Sequence, residues 1–326
     1  DLALFDDKFK LTVDYFDESR SGIFMQRQYL PGMIGLQGKS PFANVGKVNS
    51  KGFDGNFSFK QRFNQVSLTV RGNMTYSKNE IIERDEANNV YPYQMQKGYR
   101  VNQNKGLIAL GLFKDYDDIR NSPTQKYGPV MPGDIKYKDV NGDGVIDSYD
   151  KVVGVGHPNV PEIVYGFGLN IEYKGFYASV FFQGTGNCSV LLGGNTPEGW
   201  YPFAWGVDQS SYRTFALDRW TESNPSQNVL MPRLHKDNAN NANNQVASTW
   251  WLRNGGFLRL KNMEFGYQLP KQFLKKFNVQ AARIYVMGYN LILWYVLKYF
   301  DPEAGNANGL NVYLKKRTFT LGIKFN

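Results

Sequence analysis

Between Asp139 and Asp150 the chain reads DVNGDGVIDSYD, a run that sets hard oxygen ligands at alternate positions. Asp139, Asn141 and Asp143 stand where the first, third and fifth ligands of a calcium loop converge on one point. Gly144 follows at the place where such a loop turns sharply, which a residue without Cβ allows. Val145 would offer its backbone carbonyl, Asp147 would act directly or through water, and Asp150 would close the loop where an EF-hand carries a bidentate Glu. An oxygen-only set of this kind suits Ca2+ better than zinc. The flanks, GDIKYK and KVVGVGHP, are poor helices, so this is an isolated loop rather than an EF-hand. An Asx- and Gly-rich turn holding no ion is the alternative reading. The ion expected here is structural, a stiffener of a long loop.

A second chemical feature is the aromatic density of 185–256, which holds Trp200, Tyr201, Phe203, Trp205, Tyr212, Trp220, Trp250 and Trp251. Aromatic faces stack on sugar rings, and amides take hydroxyls. Trp200, Tyr201 and Trp205 are therefore the expected substrate-binding residues. Trp250 and Trp251 stand beside the strand expected at 257 and read as an interfacial aromatic girdle or as packing. The tract DNANNANNQ reads as a loop tip. Catalysis finds no foothold. The sequence has no G-x-S-x-G, H-E-x-x-H or Gly-rich phosphate loop. Asp117 and Asp118 are adjacent and point apart in an extended chain. No catalytic residue is expected, and the chain is not read as an enzyme.

What positions these groups follows from the bulk pattern. The 326 residues are 42% hydrophobic and 15% aromatic, and the mean hydropathy is -0.47. No stretch reaches the ~18 consecutive apolar residues that a spanning helix needs. This excludes a helical membrane protein but not a barrel, whose strands turn only every second side chain to lipid. Cys188 stands alone, so no intrachain disulfide forms, and two histidines argue against a His-rich metal site. The net charge of +9 is spread without a basic block, which speaks against nucleic acid. No charged segment followed by an apolar one opens the chain. It starts as strand, turn, strand, and is expected to be the C-terminal piece of a longer protein.

Strict alternation marks strands with two unlike faces. VSLTVRGNMTYS sets Val66, Leu68, Val70, Met74 and Tyr76 against Ser67, Thr69, Arg71, Asn73 and Thr75. YGFGLNIEY and RTFTLGIKFN repeat the pattern. Strands are expected near 9–17, 51–63, 66–77, 93–101, 106–113, 162–173, 176–184, 257–269, 282–293 and 315–326, with a stub at 1–5. Short turns at 6–8, 64–65, 102–105 and 174–175, and a link at 270–281 with a short helix after Pro270, alternate with long polar stretches. Those stretches are roughly 18–50, 78–92, 114–161, 185–256 and 294–314. Outer-membrane barrels have short periplasmic turns and long outer loops in this way. A sandwich core gives similar alternation, so periodicity alone leaves barrel and sandwich open. The expectation is an all-β, antiparallel transmembrane barrel wall of about ten or eleven strands, too few and too odd in number to close alone.

Several blocks, taken in order, resemble one family. They are LTVDYFDESRSGIF, NVGKVNSKGFDGNFSF, the run from PGDIKYKDVNGDG to GFYASVFFQG, DRWTESNPSQ, WWLRNGGFLRLKNMEFGYQLP and RTFTLGIKF. Together they resemble the C-terminal half of SusC/RagA-type TonB-dependent outer-membrane transporters. The resemblance implies a barrel of roughly twenty-two strands, with 114–161 and 185–256 as extracellular loops. The plug and the N-terminal strands would lie outside this chain. It also implies import of oligosaccharide or peptide fragments, a SusD-like surface lipoprotein as lid, and a TonB complex reached through the missing part. The surroundings would be outer-membrane lipids. A secreted, calcium-stabilised, carbohydrate-binding β-sandwich and an adhesion barrel that moves nothing are the rival readings.

Overall fold

The computed structural model describes residues 1–28, 40–87, 91–192, 214–235, 242–276, 278–297, 301–304 and 315–325. Its main feature is one nine-stranded antiparallel sheet in which every strand lies beside its sequence neighbour. The strands are β1 (Leu2–Leu4), β2 (Phe9–Gln26), β3 (Phe42–Phe63), β4 (Val66–Glu83), β5 (Ile163–Tyr173), β6 (Phe176–Gly186), β7 (Phe257–Gln268), β8 (Ala282–Tyr295) and β9 (Thr318–Phe325). Tight turns join one end. Asn64, Lys174 and Gly175 take positive φ there, and Lys271–Lys275 forms the short helix after Pro270. All long connections lie at the other end.

Side-chain period and register together give the sheet two faces. One row of directly opposed residues runs Phe59, Val70, Leu169, Val180, Met263, Gly288, Phe319 from β3 to β9. A neighbouring row on the opposite face runs Lys60, Thr69, Asn170, Ser179, Glu264, Met287, Thr320. The apolar face is bare: Phe265 is 53% exposed, Val286 51%, Phe319 73% and Leu321 76%. Among the described residues no second sheet covers either face, since the remaining sheets are two-stranded. A sandwich buries its inner rows, so the free-standing sandwich is not this fold. The chain is a single-layer wall, as the all-β barrel expectation requires.

Two expected wall strands are corrected. Residues 93–101 and 106–113 do not join the sheet. Pro92–Gln94 is a 3-10 turn, and Gly98 and Asn102 take positive φ, which breaks any extended run. Lys105–Gly106 and Ala109–Leu112 pair instead with Val152–Val153 and Ile135–Tyr137. The turn expected at 102–105 therefore belongs to the long-loop end. The opening hairpin, by contrast, is longer than expected. β2 has 18 residues, β3 22 and β4 18, where crossing a bilayer takes about 9–11. Most of the loop expected at 18–50 is this hairpin continuing past the membrane.

Buried apolar side chains collect in the long loops rather than in the wall. Leu107, Ile135, Tyr137, Ile146, Met231 and Trp251 form the centre of a rim core drawn from segments far apart in sequence. Trp251 is 1% exposed and its indole N–H donates to the Asn244 carbonyl at 2.9 Å. Trp250 packs against the same core, its indole bonded to the Leu230 carbonyl. Both are packing residues, not girdle residues.

Candidate functional site

The rim is where chemistry-bearing side chains gather, and the acidic loop is built into it at three points. Ile135–Tyr137 pairs with Ala109–Leu112 before the loop, and Val145–Ile146 pairs in parallel with Thr124–Gln125 inside it. A 3-10 turn at Ser148–Asp150 closes it. The buried Gln125 amide donates to the Ile135 carbonyl at 3.0 Å and its oxygen accepts from Tyr137 N at 2.7 Å, so the loop's base is tied to the core.

The loop's acidic oxygens are met by its own backbone. Asp139 accepts from Gly142 N at 2.6 Å and Gly144 N at 2.8 Å, with both glycines at positive φ. Asp143 accepts from Val145 N, Asn141 from Asp143 N, and Asp147 from Tyr149 N. Asp150 is fully buried and bridges Val140 N at 2.8 Å and Asp147 N at 2.9 Å. The residue expected to close the loop on an ion thus closes it on two N–H groups. Among the described residues, no group of three or more His, Cys, Asp or Glu side chains is gathered so as to hold a metal. The donors are of the right type for calcium, and the loop is ordered by N–H contacts in its own right.

The charge of the loop reaches its neighbours. Burial, then Asp150, Tyr91, Asp139 and Asp143, hold the Tyr93 phenol above its ordinary pKa. Burial first, then Asp147 and Asp150, push the Tyr127 phenol up to about 12. Lys136 donates to Asp118 at 2.7 Å and holds that carboxyl below the usual range. Asp117 and Asp118 lie on a short helix, Tyr116–Arg120, not in an extended chain. They still serve different partners, Arg120 and Lys136.

Trp200, Tyr201 and Trp205, the expected substrate-binding residues, lie outside the described residues. Two groupings on the polar face of the wall escaped the sequence reading. Tyr177 donates to Glu264 at 2.5 Å, and Arg283 lies over the Tyr177 and Tyr285 rings. Nearer the rim, Arg259 is only 3% exposed and meets Asp301 at 2.5 Å, while Lys261 and Lys315 meet Glu303. The sequence signal for the first was alternation, since these residues occupy polar-face positions. The second ties Arg259 and Lys261 to residues 42 positions away and had no local signal.

No family model matches the chain. Similar curated proteins do exist. TonB-dependent receptor P3 of Formosa agariphila is 24% identical over 99% of this chain and 33% of its own length. TonB-dependent receptor P26 of the same organism is 29% identical over 87% of this chain and 30% of its own length. Among solved structures, the RagAB peptide importer in its closed-closed state matches with a TM-score of 0.72 and 22% identity, over 99% of this chain and 34% of the other. Its open-open state gives 0.73 with the same identity. The chain spans about a third of the length of the relatives it matches. The resemblance to SusC/RagA-type TonB-dependent transporters therefore stands: along nearly its whole length the chain is similar to TonB-dependent receptors, and its fold is a stretch of their outer-membrane β-barrel wall.

Proposed function

We propose that this wall and rim belong to a barrel that imports oligosaccharide or peptide fragments across the outer membrane. A SusD-like surface lipoprotein would serve as its lid. Energy from the TonB complex would act on a part of the longer protein that this chain does not contain. The chain itself does no covalent chemistry on this reading. The observation that carries it is the single-layer sheet with a bare apolar face, a polar face, and both edges open. Among the described residues, the outer side of β2 has no partner strand in the sheet beyond its three-residue pairing with β1, and neither has that of β9. Long bare edges invite aggregation, and closure with further strands removes them. In cells, deletion of the full gene should abolish uptake of labelled oligosaccharide or peptide fragments, and an intact copy should restore it. Undiminished uptake of both classes would refute the import reading.

Calcium at Asp139, Asn141, Asp143, Val145, Asp147 and Asp150 is a second part of this proposal, supported by the oxygen-only donors at the spacing of a calcium loop. Its role would be to hold the outer rim near the lid. Calorimetric titration with Ca2+ should give saturable heat that Asp139→Ala and Asp143→Ala together abolish. Absence of such heat in the unaltered protein would remove the ion from the account.

A further inference from the structure

The end of the wall that carries the tight turns has a charge pattern of its own. Four positions nearer the turns than the apolar row already traced, the same strands set Phe63, Val66, Tyr173, Phe176, Tyr267 and Ile284 directly opposite one another. Phe63, Tyr173 and Phe176 are exposed, and the Phe176 and Tyr267 rings meet with centroids 4.5 Å apart. Aromatic side chains at this height form the belt where acyl chains give way to headgroups.

Basic residues border the row. Lys174, in the β5–β6 turn, sets its ammonium 5.2 Å from the Tyr173 ring centroid. Gln268 N donates to the Gly175 carbonyl at 2.7 Å, so this turn lies beside the start of the β7–β8 link. The link carries the helix Lys271–Lys275, in which Leu274 is buried and Lys271, Phe273 and Lys275 are exposed. Lys276 follows and is exposed too. Lys271 and Lys275, four positions apart, share one helix face. From Leu269 to Ala282 the chain has three lysines and no Asp or Glu. The single acids of β5 and β7, Glu172 and Glu264, stand on the polar face, and β6 and β8 have none. Among the described residues, none of Lys174, Lys271, Lys275 and Lys276 forms an ion pair. Toward the rim, by contrast, Lys51 on the same apolar face is held by Asp17 at 3.0 Å.

We infer that this end of the wall holds the headgroup of an anionic phospholipid of the periplasmic leaflet. Short turns of outer-membrane barrels face the periplasm. The acyl chains of such a lipid would cover the exposed aromatic row and bring its phosphate to the height of the lysines. Lysine stems lie along apolar surface while their ammonium groups reach a headgroup. Attraction of one lysine to an anionic membrane surface is modest and fades within a Debye length, so several must stand together to select a charged lipid. An acidic protein would neutralise the same charges but leave the aromatic row bare. Such a site requires the membrane-facing wall and no cargo.

Native mass spectrometry of the full-length protein in detergent tests this with two lipids of equal acyl chains, dioleoyl phosphatidylglycerol and dioleoyl phosphatidylethanolamine. Phosphatidylglycerol should be retained about tenfold more tightly or better. Lys174→Gln, Lys271→Gln, Lys275→Gln and Lys276→Gln together should reduce it to the phosphatidylethanolamine level, with heat-modifiable migration showing the variant folded. Lys174→Arg, Lys271→Arg, Lys275→Arg and Lys276→Arg together should preserve the preference, and Lys51→Gln should leave it unaltered. Equal retention of the two lipids, a preference that survives the four Gln changes, or an equal loss in Lys51→Gln would overturn the inference. So would a soluble polyglutamate peptide that binds these lysines as tightly as phosphatidylglycerol does.

Discussion

At the residue scale, Asp150 shows how one carboxylate organises a loop. It is fully buried and its two oxygens hold Val140 N and Asp147 N, the two ends of the acidic stretch. Removing it leaves buried N–H donors unmet, at a cost of about 1–3 kcal/mol. Asp150→Ala should therefore loosen 114–161 and speed limited proteolysis there, while the wall stays assembled. An unchanged cleavage pattern would contradict this role. Tyr127 gives a pH test. Among the described residues its buried hydroxyl has no hydrogen-bond partner, and its pKa is pushed up to about 12 from an ordinary value of 10.0. The folded rim favours the neutral phenol, so this contribution is complete below pH 10 and lost as pH rises toward 12. Ultraviolet titration should show late phenolate absorbance that Tyr127→Phe reduces. That DVNGDGVIDSYD folds as a local Asx- and Gly-rich turn was legible from spacing, because its side chains lie within a few bonds of the N–H groups they meet. That these contacts occupy the expected ligand oxygens was not, because the template encodes an ion and not its substitutes.

At the element scale, the wall strands were legible wherever lipid lies on one side and water on the other. There the period of two is imposed on every residue, and β5, β6, β7 and β8 match the expected spans closely. Above the membrane both faces are wet and alternation fades, so the upper parts of β2 and β3 in DESRSGIF and NVGKVNSKG read as loop although backbone pairing continues. Residues 93–101 and 106–113 failed in the opposite way. Leu107 and Leu112 of the second serve the rim core, and the first carries a 3-10 turn and backbone bonds to Ile81. A charge test distinguishes the faces of β6. Val180→Arg places a cation on the apolar face and should cost about 2–4 kcal/mol near the bilayer midplane. Ser179→Arg places it on the polar face and should be tolerated. Heat-modifiable migration of the folded barrel measures both, and equal loss in the two variants would contradict the facing.

At the scale of the whole molecule, the rim core and the open sheet explain each other. A single-layer wall has no interior of its own, so buried apolar side chains gather where the long connections meet. Sequence reading missed this core because Leu107, Met231 and Trp251 are brought together only by the wall that spaces their loops. The wall needs lipid on one face, water on the other, and strands at both edges. Membrane-solvent facing is therefore the claim on which the rest stands. It is tested most directly by single cysteines at Met263 and Asn262 in the Cys188→Ala background, labelled in native outer membranes. A water-soluble maleimide should modify Asn262→Cys and spare Met263→Cys, with a lipid-soluble maleimide modifying the latter. Rapid water-soluble labelling at Met263→Cys would contradict the account.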